Sequence, residues 1–147
     1  MEFSKQSGIY RLHSQHFLPV SLEEAWRFFS SSKNLQKITP KNLDFKITSP
    51  ESGEAYLGQI ITYTISLNKI FKMNWVTEIT HITKGSYFVD EQRFGPYKMW
   101  HHLHKIEEVN GGVLMTDVVH FKLPFSMVAP LAYSLFVKRK LTEIFRF

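Results

Sequence analysis

The residue pair Asn110-Gly111 constrains the fold of this chain more than any other feature of its sequence. Asn-Gly is preferred at the centre of a two-residue hairpin turn, because both positions there need a positive φ. Around such a turn Val109 pairs with Gly112, and counting outward places His104 opposite Asp117. The sequence therefore predicts two long antiparallel strands in a defined register.

The register also says which side chains share a face, because side chains alternate between the two faces of a strand. One face combines three ionisable groups with bulky apolar residues, and its members are Trp100, His102, His104, Met115, Asp117, Val119 and Phe121. Burying imidazoles and carboxylates is costly unless they are paired or hydrogen-bonded. This face is therefore the candidate functional site.

Further strand patterns fill much of the chain. Alternating or β-branched runs occur at 9–19, 43–47, 58–67, 71–79 and 87–94. The links that follow residue 43 are too short for parallel crossovers, which need about a dozen residues or more. Together with the two hairpin strands, these runs predict a seven-stranded antiparallel sheet.

Two short helices are predicted after the first strand. Ser21 and Glu24 fit a capping box, in which each side chain bonds the backbone N–H of the other residue. A helix is therefore expected over Leu22–Ser30. A second short helix is expected over Lys33–Ile38. It should end there because the residue before Pro40 disfavours helical backbone.

A long amphipathic helix is predicted from about Ser126 to the C-terminus. Its apolar positions recur at helical spacing and are Met127, Leu131, Leu135, Phe136, Leu141, Ile144 and Phe145. One helix cannot fill the concave side of a strongly curved sheet, so a cavity between them is expected. The predicted class is α+β, with a curved seven-stranded sheet wrapped around this helix and two short helices after strand 1.

The composition indicates one folded domain over residues 1–147. At this length, 44% hydrophobic and 15% aromatic residues are enough for a sizeable core. The absence of cysteine excludes disulfides and thiolate sites and favours a cytoplasmic location. No segment resembles a signal peptide or reaches the length of a membrane span, so no integral membrane segment is expected.

The net charge of +5 is modest, and the basic residues are spread along the chain with one local cluster, Lys138-Arg139-Lys140. Nucleic-acid binding would need a basic stripe with exposed aromatic residues or a reading motif, and the sequence has neither. The cluster fits a solvated helix face. With Arg146 it could also contact anionic lipid headgroups, so peripheral membrane contact stays an alternative. The oligomeric state is not predicted.

The order of elements resembles the START-like helix-grip superfamily, often called SRPBCC, which includes pollen-allergen-like proteins, polyketide cyclases and lipid-transfer domains. The resemblance covers nearly the whole chain and is closest to the bacterial ligand-binding SRPBCC proteins. It rests on Phe88-Val89-Asp90-Glu91-Gln92, Gly95-Pro96-Tyr97, Trp100, His102, His104, Met115-Thr116-Asp117, Leu123-Pro124-Phe125, Leu135-Phe136-Val137-Lys138-Arg139-Lys140-Leu141 and Ile144-Phe145. Where that branch often has an aromatic residue, this chain has Ile106. The resemblance implies binding of an apolar ligand, although many members have no established ligand or activity.

The predicted ligand-binding residues extend beyond the hairpin and are Trp75, Asp90, Gln92, Trp100, His102, His104, Met115, Asp117, Val119, Phe121, Leu131 and Leu135. Asp90 and Gln92 face inward only if the following loop has an odd length. An even loop would put Glu91 and Arg93 there instead. The resemblance favours Asp90 and Gln92, and solvated charges at a strand edge are the alternative.

Three interpretations of His102, His104 and Asp117 stay open. They could form a satisfied polar network, anchor the polar end of a ligand, or transfer protons with a histidine as base and Asp117 as its orienting carboxylate. The two imidazoles, about 6–7 Å apart along a strand, could also bracket one zinc ion with Asp117. No further ligand at a defined spacing supports that, so neither metal nor cofactor is predicted.

The function favoured by the sequence is binding of a small hydrophobic or amphipathic molecule between the sheet and the C-terminal helix. No reaction is implied by the residues alone. One alternative is a cyclase- or hydratase-like enzyme, and another is a membrane-associated carrier of a lipid or quinone. Trp75 and Trp100 line a pocket in the favoured interpretation and are plain core residues otherwise.

Overall fold

The structure is a computed structural model and describes residues 1–50, 53–66, 72–125, 131 and 133–146. Within these residues eight strands form one curved antiparallel sheet in the order β1-β2-β8-β7-β6-β5-β4-β3. The strands are β1 Glu2–Gln6, β2 Ile9–Leu18, β3 Lys46–Ile47, β4 Ile60–Ser66, β5 Lys72–Thr83, β6 Tyr87–Phe94, β7 Met99–Val109 and β8 Gly112–Lys122. The helices are α1 Leu22–Phe29 and α2 Lys138–Arg146, and a π-helical segment, Tyr133–Val137, precedes α2.

The predicted number of strands was wrong by one, because the first residues also form a strand. Ser7 and Gly8 have φ of 51° and 78°. Positive φ at both central positions is the geometry of a tight hairpin turn. The turn folds β1 back onto β2, with Glu2 opposite His13 and Gln6 opposite Ile9.

Helix α1 forms where the capping box predicted it. The backbone N–H of Ser21 donates to Glu24 Oε2 at 3.0 Å, and the backbone N–H of Glu24 donates to Ser21 Oγ at 3.3 Å. The predicted second helix was wrong: the chain instead makes 3₁₀ turns at Ser32–Asn34 and Lys41–Leu43. Short segments rarely sustain an α-helix because its first turn is costly to form.

The strand predicted over 43–47 is reduced to Lys46–Ile47. Asp44 has a φ of 43°, a left-handed conformation that interrupts extended backbone. The end of the strand predicted over 58–67 and the start of the strand predicted over 71–79 lie outside the described residues, at 67 and 71.

The C-terminal helix differs from the prediction in phase. Leu141 is 2% exposed, but Leu131 and Phe136, predicted on the same buried face, are 64% and 68% exposed. The π-helical segment bonds i to i+5, so it shifts the residues after it relative to those before it. The start predicted near Ser126 lies outside the described residues, as does the side chain of Leu135.

The inner face of the sheet carries two apolar clusters. The first lies against α2 and includes Tyr10, Leu12, Trp75, Trp100, Phe121 and Leu141. The second lies against α1 and includes Trp26, Ile79, Phe88, Ile106 and Met115. The candidate site lies where the two clusters meet on β6, β7 and β8. In the described part of the chain, no helix is long and apolar enough to cross a membrane.

Candidate functional site

Strands β7 and β8 pair in the register that the Asn-Gly turn predicted. Val109 lies opposite Gly112, His104 opposite Asp117, and Trp100 opposite Phe121. Because side chains alternate along both strands, this register turns the predicted face toward the core.

Strand β6 brings a second carboxylate to this face. Asp90 lies opposite His102, while Glu91 lies opposite His101 on the other face. This is the arrangement that an odd loop length predicted. Gln92 has a different environment: its side chain bonds the backbone of Tyr97, donating to the carbonyl at 2.7 Å and accepting from the N–H at 3.1 Å. Gln92 therefore holds the loop between β6 and β7.

Asp90, His102, His104 and Asp117 form a closed arrangement that we call the Asp–His cluster. His102 Nε2 lies 2.8 Å from Asp117 Oδ1, and His104 Nε2 lies 2.7 Å from Asp90 Oδ2. The other ring nitrogens complete the cycle, because His104 Nδ1 lies 3.2 Å from Asp117 Oδ1 and His102 Nδ1 lies 3.5 Å from Asp90 Oδ2. Each carboxylate thus contacts both imidazoles.

Aromatic rings fix the positions of the two imidazoles. The ring of Phe88 stacks on His104 with centroids 4.2 Å apart, and His104 lies 3.6 Å from His102. The rings of Phe145 and Trp100 make T-shaped contacts with His102, with centroids 5.4 and 6.1 Å from its ring. Aromatic rings therefore surround the two imidazoles, and their ring nitrogens face carboxylates.

The cluster shifts the pKa values of all four groups. Burial alone would lower the pKa of His104, but the hydrogen bonds and charges of Asp117 and Asp90 raise it to about 9. Burial, together with the charge of His104, holds the pKa of His102 below its ordinary value despite the two carboxylates. Burial opposes ionisation of Asp90 and Asp117, yet hydrogen bonds and charges from the histidines keep both pKa values below the usual range. The favoured state near neutral pH therefore has two carboxylates and one imidazolium.

This geometry bears on the chemistry that the cluster can perform. Every ring nitrogen of His102 and His104 lies within 3.5 Å of a carboxylate oxygen. A general base needs a nitrogen directed at the proton it removes. No described contact therefore favours the acid–base alternative, whereas the polar network and the anchoring of a polar group both fit.

Aromatic side chains continue the inner face beyond the cluster. Trp75 lies at their centre, with ring centroids 5.7 Å from Tyr63, 5.5 Å from Tyr97 and 5.3 Å from Trp100. Its indole Nε1 is buried and has no hydrogen-bond partner among the described residues. A buried donor without a partner is uncommon and calls for an explanation.

The structure places the other predicted residues as follows. Met115, Val119 and Phe121 are at most 3% exposed on the same face, whereas Leu131 is 64% exposed. The contacts of Phe88 and Phe145 with the imidazoles were not predicted from the sequence. Nothing local in the sequence marks those contacts, although both residues stand in motifs that carry the family resemblance.

Beneath α2 the described side chains pack closely against one another, and Leu141, Val137 and Phe145 belong to or pack on the first apolar cluster. A surface groove of about 380 Å³ lies elsewhere, beside the turn between β7 and β8. It is lined by Pro19, Val20, Ser21, Glu24, Glu108, Val109, Gly111 and Gly112. This groove is not the cavity that the sequence predicted.

Comparison with known proteins identifies the fold. No protein-family model and no curated protein matches the chain. Solved structures do match: protein Ms6760 from Mycobacterium smegmatis has a TM-score of 0.68 at 12% identity, over 99% of this chain and 92% of that chain. Ara h 8.0201 has a TM-score of 0.66 at 18% identity, over 95% and 94% of the two chains.

The major latex-like protein 151 from Panax ginseng is also similar, with a TM-score of 0.63 at 15% identity over 93% of this chain and 97% of that chain. These proteins share a helix-grip fold of the SRPBCC type. The predicted fold class is therefore confirmed, with eight strands in place of seven. At such low identities the likeness extends to the fold alone.

Proposed function

We propose that this protein binds a small amphipathic molecule between the concave face of its sheet and α2, with the polar end of the molecule at the Asp–His cluster. The observation that carries this proposal is the cluster itself. Asp117 and His102 are buried, and Asp90 and His104 are half-buried, on a face that is otherwise largely apolar. Apolar residues of similar volume usually stabilise a core as well or better, so a binding role accounts for the presence of ionisable groups there.

The aromatic residues beside the cluster suit the apolar part of such a molecule. Trp75 is 7% exposed and offers a flat surface together with an indole N–H that has no partner among the residues that the structure describes. A buried donor without a partner forfeits about 1–3 kcal/mol. A carbonyl or ether oxygen on the ligand would accept this hydrogen bond, so we infer that the molecule carries an acceptor close to its aromatic or aliphatic body.

Access to the site involves the C-terminal helix. Phe145 packs on His102 at 5.4 Å, so a molecule that reaches the cluster displaces this ring. Phe145→Ala should therefore speed association of a ligand. This would hold even though part of the apolar contact is lost.

The first test is native mass spectrometry of protein purified from its own host, to detect a molecule that co-purifies. The second is titration with Nile red, a neutral apolar dye that carries a carbonyl acceptor. Trp75→Phe keeps the ring and removes the donor, so it should weaken dye binding several-fold. Trp26→Phe is the matched control, because that indole also lacks a described partner but belongs to the other apolar cluster.

Absence of both a co-purifying molecule and dye binding would refute the proposal. Equal weakening by the two tryptophan substitutions would also count against it, because the aromatic surface around Trp75 would then have no particular role. In that case the Asp–His cluster would serve only to stabilise the fold.

Membrane association and cytoplasmic location stay predictions. Two of the basic residues considered for headgroup contact have partners within the chain: Lys138 Nζ lies 5.5 Å from the ring of Phe3, and Lys140 donates to Glu143 at 3.2 Å. Vesicle binding that falls with added salt, and falls again in Arg139→Gln, would favour the carrier alternative.

A further inference from the structure

We propose that Asp90, His102 and His104 form a binding site for one divalent metal ion of the zinc type. One possible ligand atom from each residue lies within 4.8 Å of those from the other two. Imidazole nitrogen and carboxylate oxygen are both common zinc ligands, and three protein ligands are typical of sites that keep one position open. This inference stands on the geometry of the cluster and does not depend on the proposed ligand.

The sheet holds these three residues in place. Asp90 on β6 lies directly opposite His102 on β7. His104 follows two residues later and so lies on the same face. Adjacent antiparallel strands therefore bring the three side chains together, and stacking of Phe88 on His104 fixes one of the rings.

Asp117 supplies the arrangement that metal-binding histidines usually have. Such a histidine binds the metal through one ring nitrogen and donates the other N–H to a carboxylate or carbonyl, which sets the tautomer. Asp117 Oδ1 lies 2.8 Å from His102 Nε2 and 3.2 Å from His104 Nδ1. A single carboxylate thus accepts from both rings, on the side away from Asp90.

The two remaining nitrogens both lie near Asp90. Its Oδ2 atom is 2.7 Å from His104 Nε2 and 3.5 Å from His102 Nδ1. Zinc–ligand distances of about 2.0–2.1 Å separate tetrahedral ligand atoms by about 3.3 Å. Small side-chain movements would therefore admit the ion, which would take the place of the proton between His104 and Asp90. The side chains of His104 and Asp90 are 13% and 15% exposed, so the ion can arrive from solvent.

The test titrates zinc into metal-stripped protein, with calorimetry for stoichiometry and NMR of the histidine ring nitrogens for location. We expect one equivalent to bind and to shift the resonances of His102 and His104. His104→Gln should weaken binding at least 10-fold. Asp117→Asn should weaken it about 10–100-fold, the usual effect of losing a carboxylate that orients a ligand.

The matched control is His101→Gln. His101 lies on the same strand but on the outer face, where its ring lies 6.2 Å from that of His120. This substitution should leave zinc affinity unchanged. The NMR experiment uses the wild-type protein, so it remains decisive if a variant does not fold.

Failure of the wild-type protein to bind zinc would overturn the inference. So would binding that shifts His101 and His120 in place of the cluster, or binding that His104→Gln leaves intact. If zinc does not bind but Nile red still does, the metal site is refuted and the proposed function stands. Loss of both activities would refute the two proposals separately.

Discussion

Removing the charge of Asp117 should destabilise the metal-free protein by about 3–5 kcal/mol, the usual cost of breaking a buried ion pair. Asp117 is 7% exposed and faces both imidazoles of the cluster, at 2.8 and 3.2 Å. Asp117→Asn keeps the size of the side chain. It leaves the imidazolium of His104 with Asp90 as its only carboxylate. Loss of two charge-assisted hydrogen bonds, each worth about 1.5–3 kcal/mol, would cost about 3–6 kcal/mol, which overlaps that range.

The matched control is Asp44→Asn. Asp44 also pairs with a cation, Lys72 at 3.3 Å, but its side chain is 45% exposed. Exposed ion pairs contribute about 0–1 kcal/mol. Asparagine also tolerates the left-handed backbone at this position. The control should therefore lose little stability.

Urea unfolding followed by tryptophan fluorescence measures both variants, in the presence of a chelator. Similar free energies of unfolding for Asp117→Asn and Asp44→Asn would refute the reasoning, because the cluster would then not act as a buried ionic network. A change in slope with urea concentration would instead indicate an altered unfolded or native state.

Two further predictions concern the turn beside β8 and the outer face. Gly112→Ala should lower the free energy of unfolding by about 1–3 kcal/mol because its Cβ would collide with the carbonyl oxygen of Leu18. Gly53→Ala should change the free energy of unfolding by about 0.5 kcal/mol at most, because a Cβ there meets no atom of the described residues, its chain neighbours aside, within 4 Å. Burial, together with nearby positive charges that include Arg11, lowers the pKa of His120, so Arg11→Met should raise it in an NMR titration; an unchanged pKa would contradict the assignment. Because the folded pKa is lowered, the stability linked to His120 is present above the unfolded value and is lost as pH falls through the folded pKa.

The sequence predicted best what nearby residues determine. The Asn-Gly pair fixed the register of β7 and β8 because a two-residue turn leaves a single pairing. The capping box located the start of α1 because its two hydrogen bonds join residues only three positions apart in the sequence. The hairpin of β1 was missed because Ser-Gly is a weaker turn signal than Asn-Gly.

Features that depend on distant contacts were harder to predict. Asp90 joined the site only under one of two loop lengths, and periodicity alone does not choose between them. The change of helical phase at Tyr133–Val137 has no signal in an amphipathic pattern. The stacking of Phe88 on His104 is set by the pairing of β6 with β7, which places the two residues opposite each other.

Stability and binding can be separated by removing the Asp–His cluster completely. Asp90→Val, His102→Leu, His104→Leu and Asp117→Val together leave no unpaired charge, unlike any single substitution. Replacing a buried ionic group by well-packed apolar residues is often neutral or stabilising by about 1–4 kcal/mol. A cluster retained for binding therefore predicts that this variant is folded and at least as stable as the metal-free wild type, but binds neither zinc nor a polar ligand. If the cluster serves the fold alone, the polar contacts are what fixes the strand register, and the variant should lose its defined structure. That loss would be seen as a broad, non-cooperative unfolding transition and a weak near-UV circular dichroism signal.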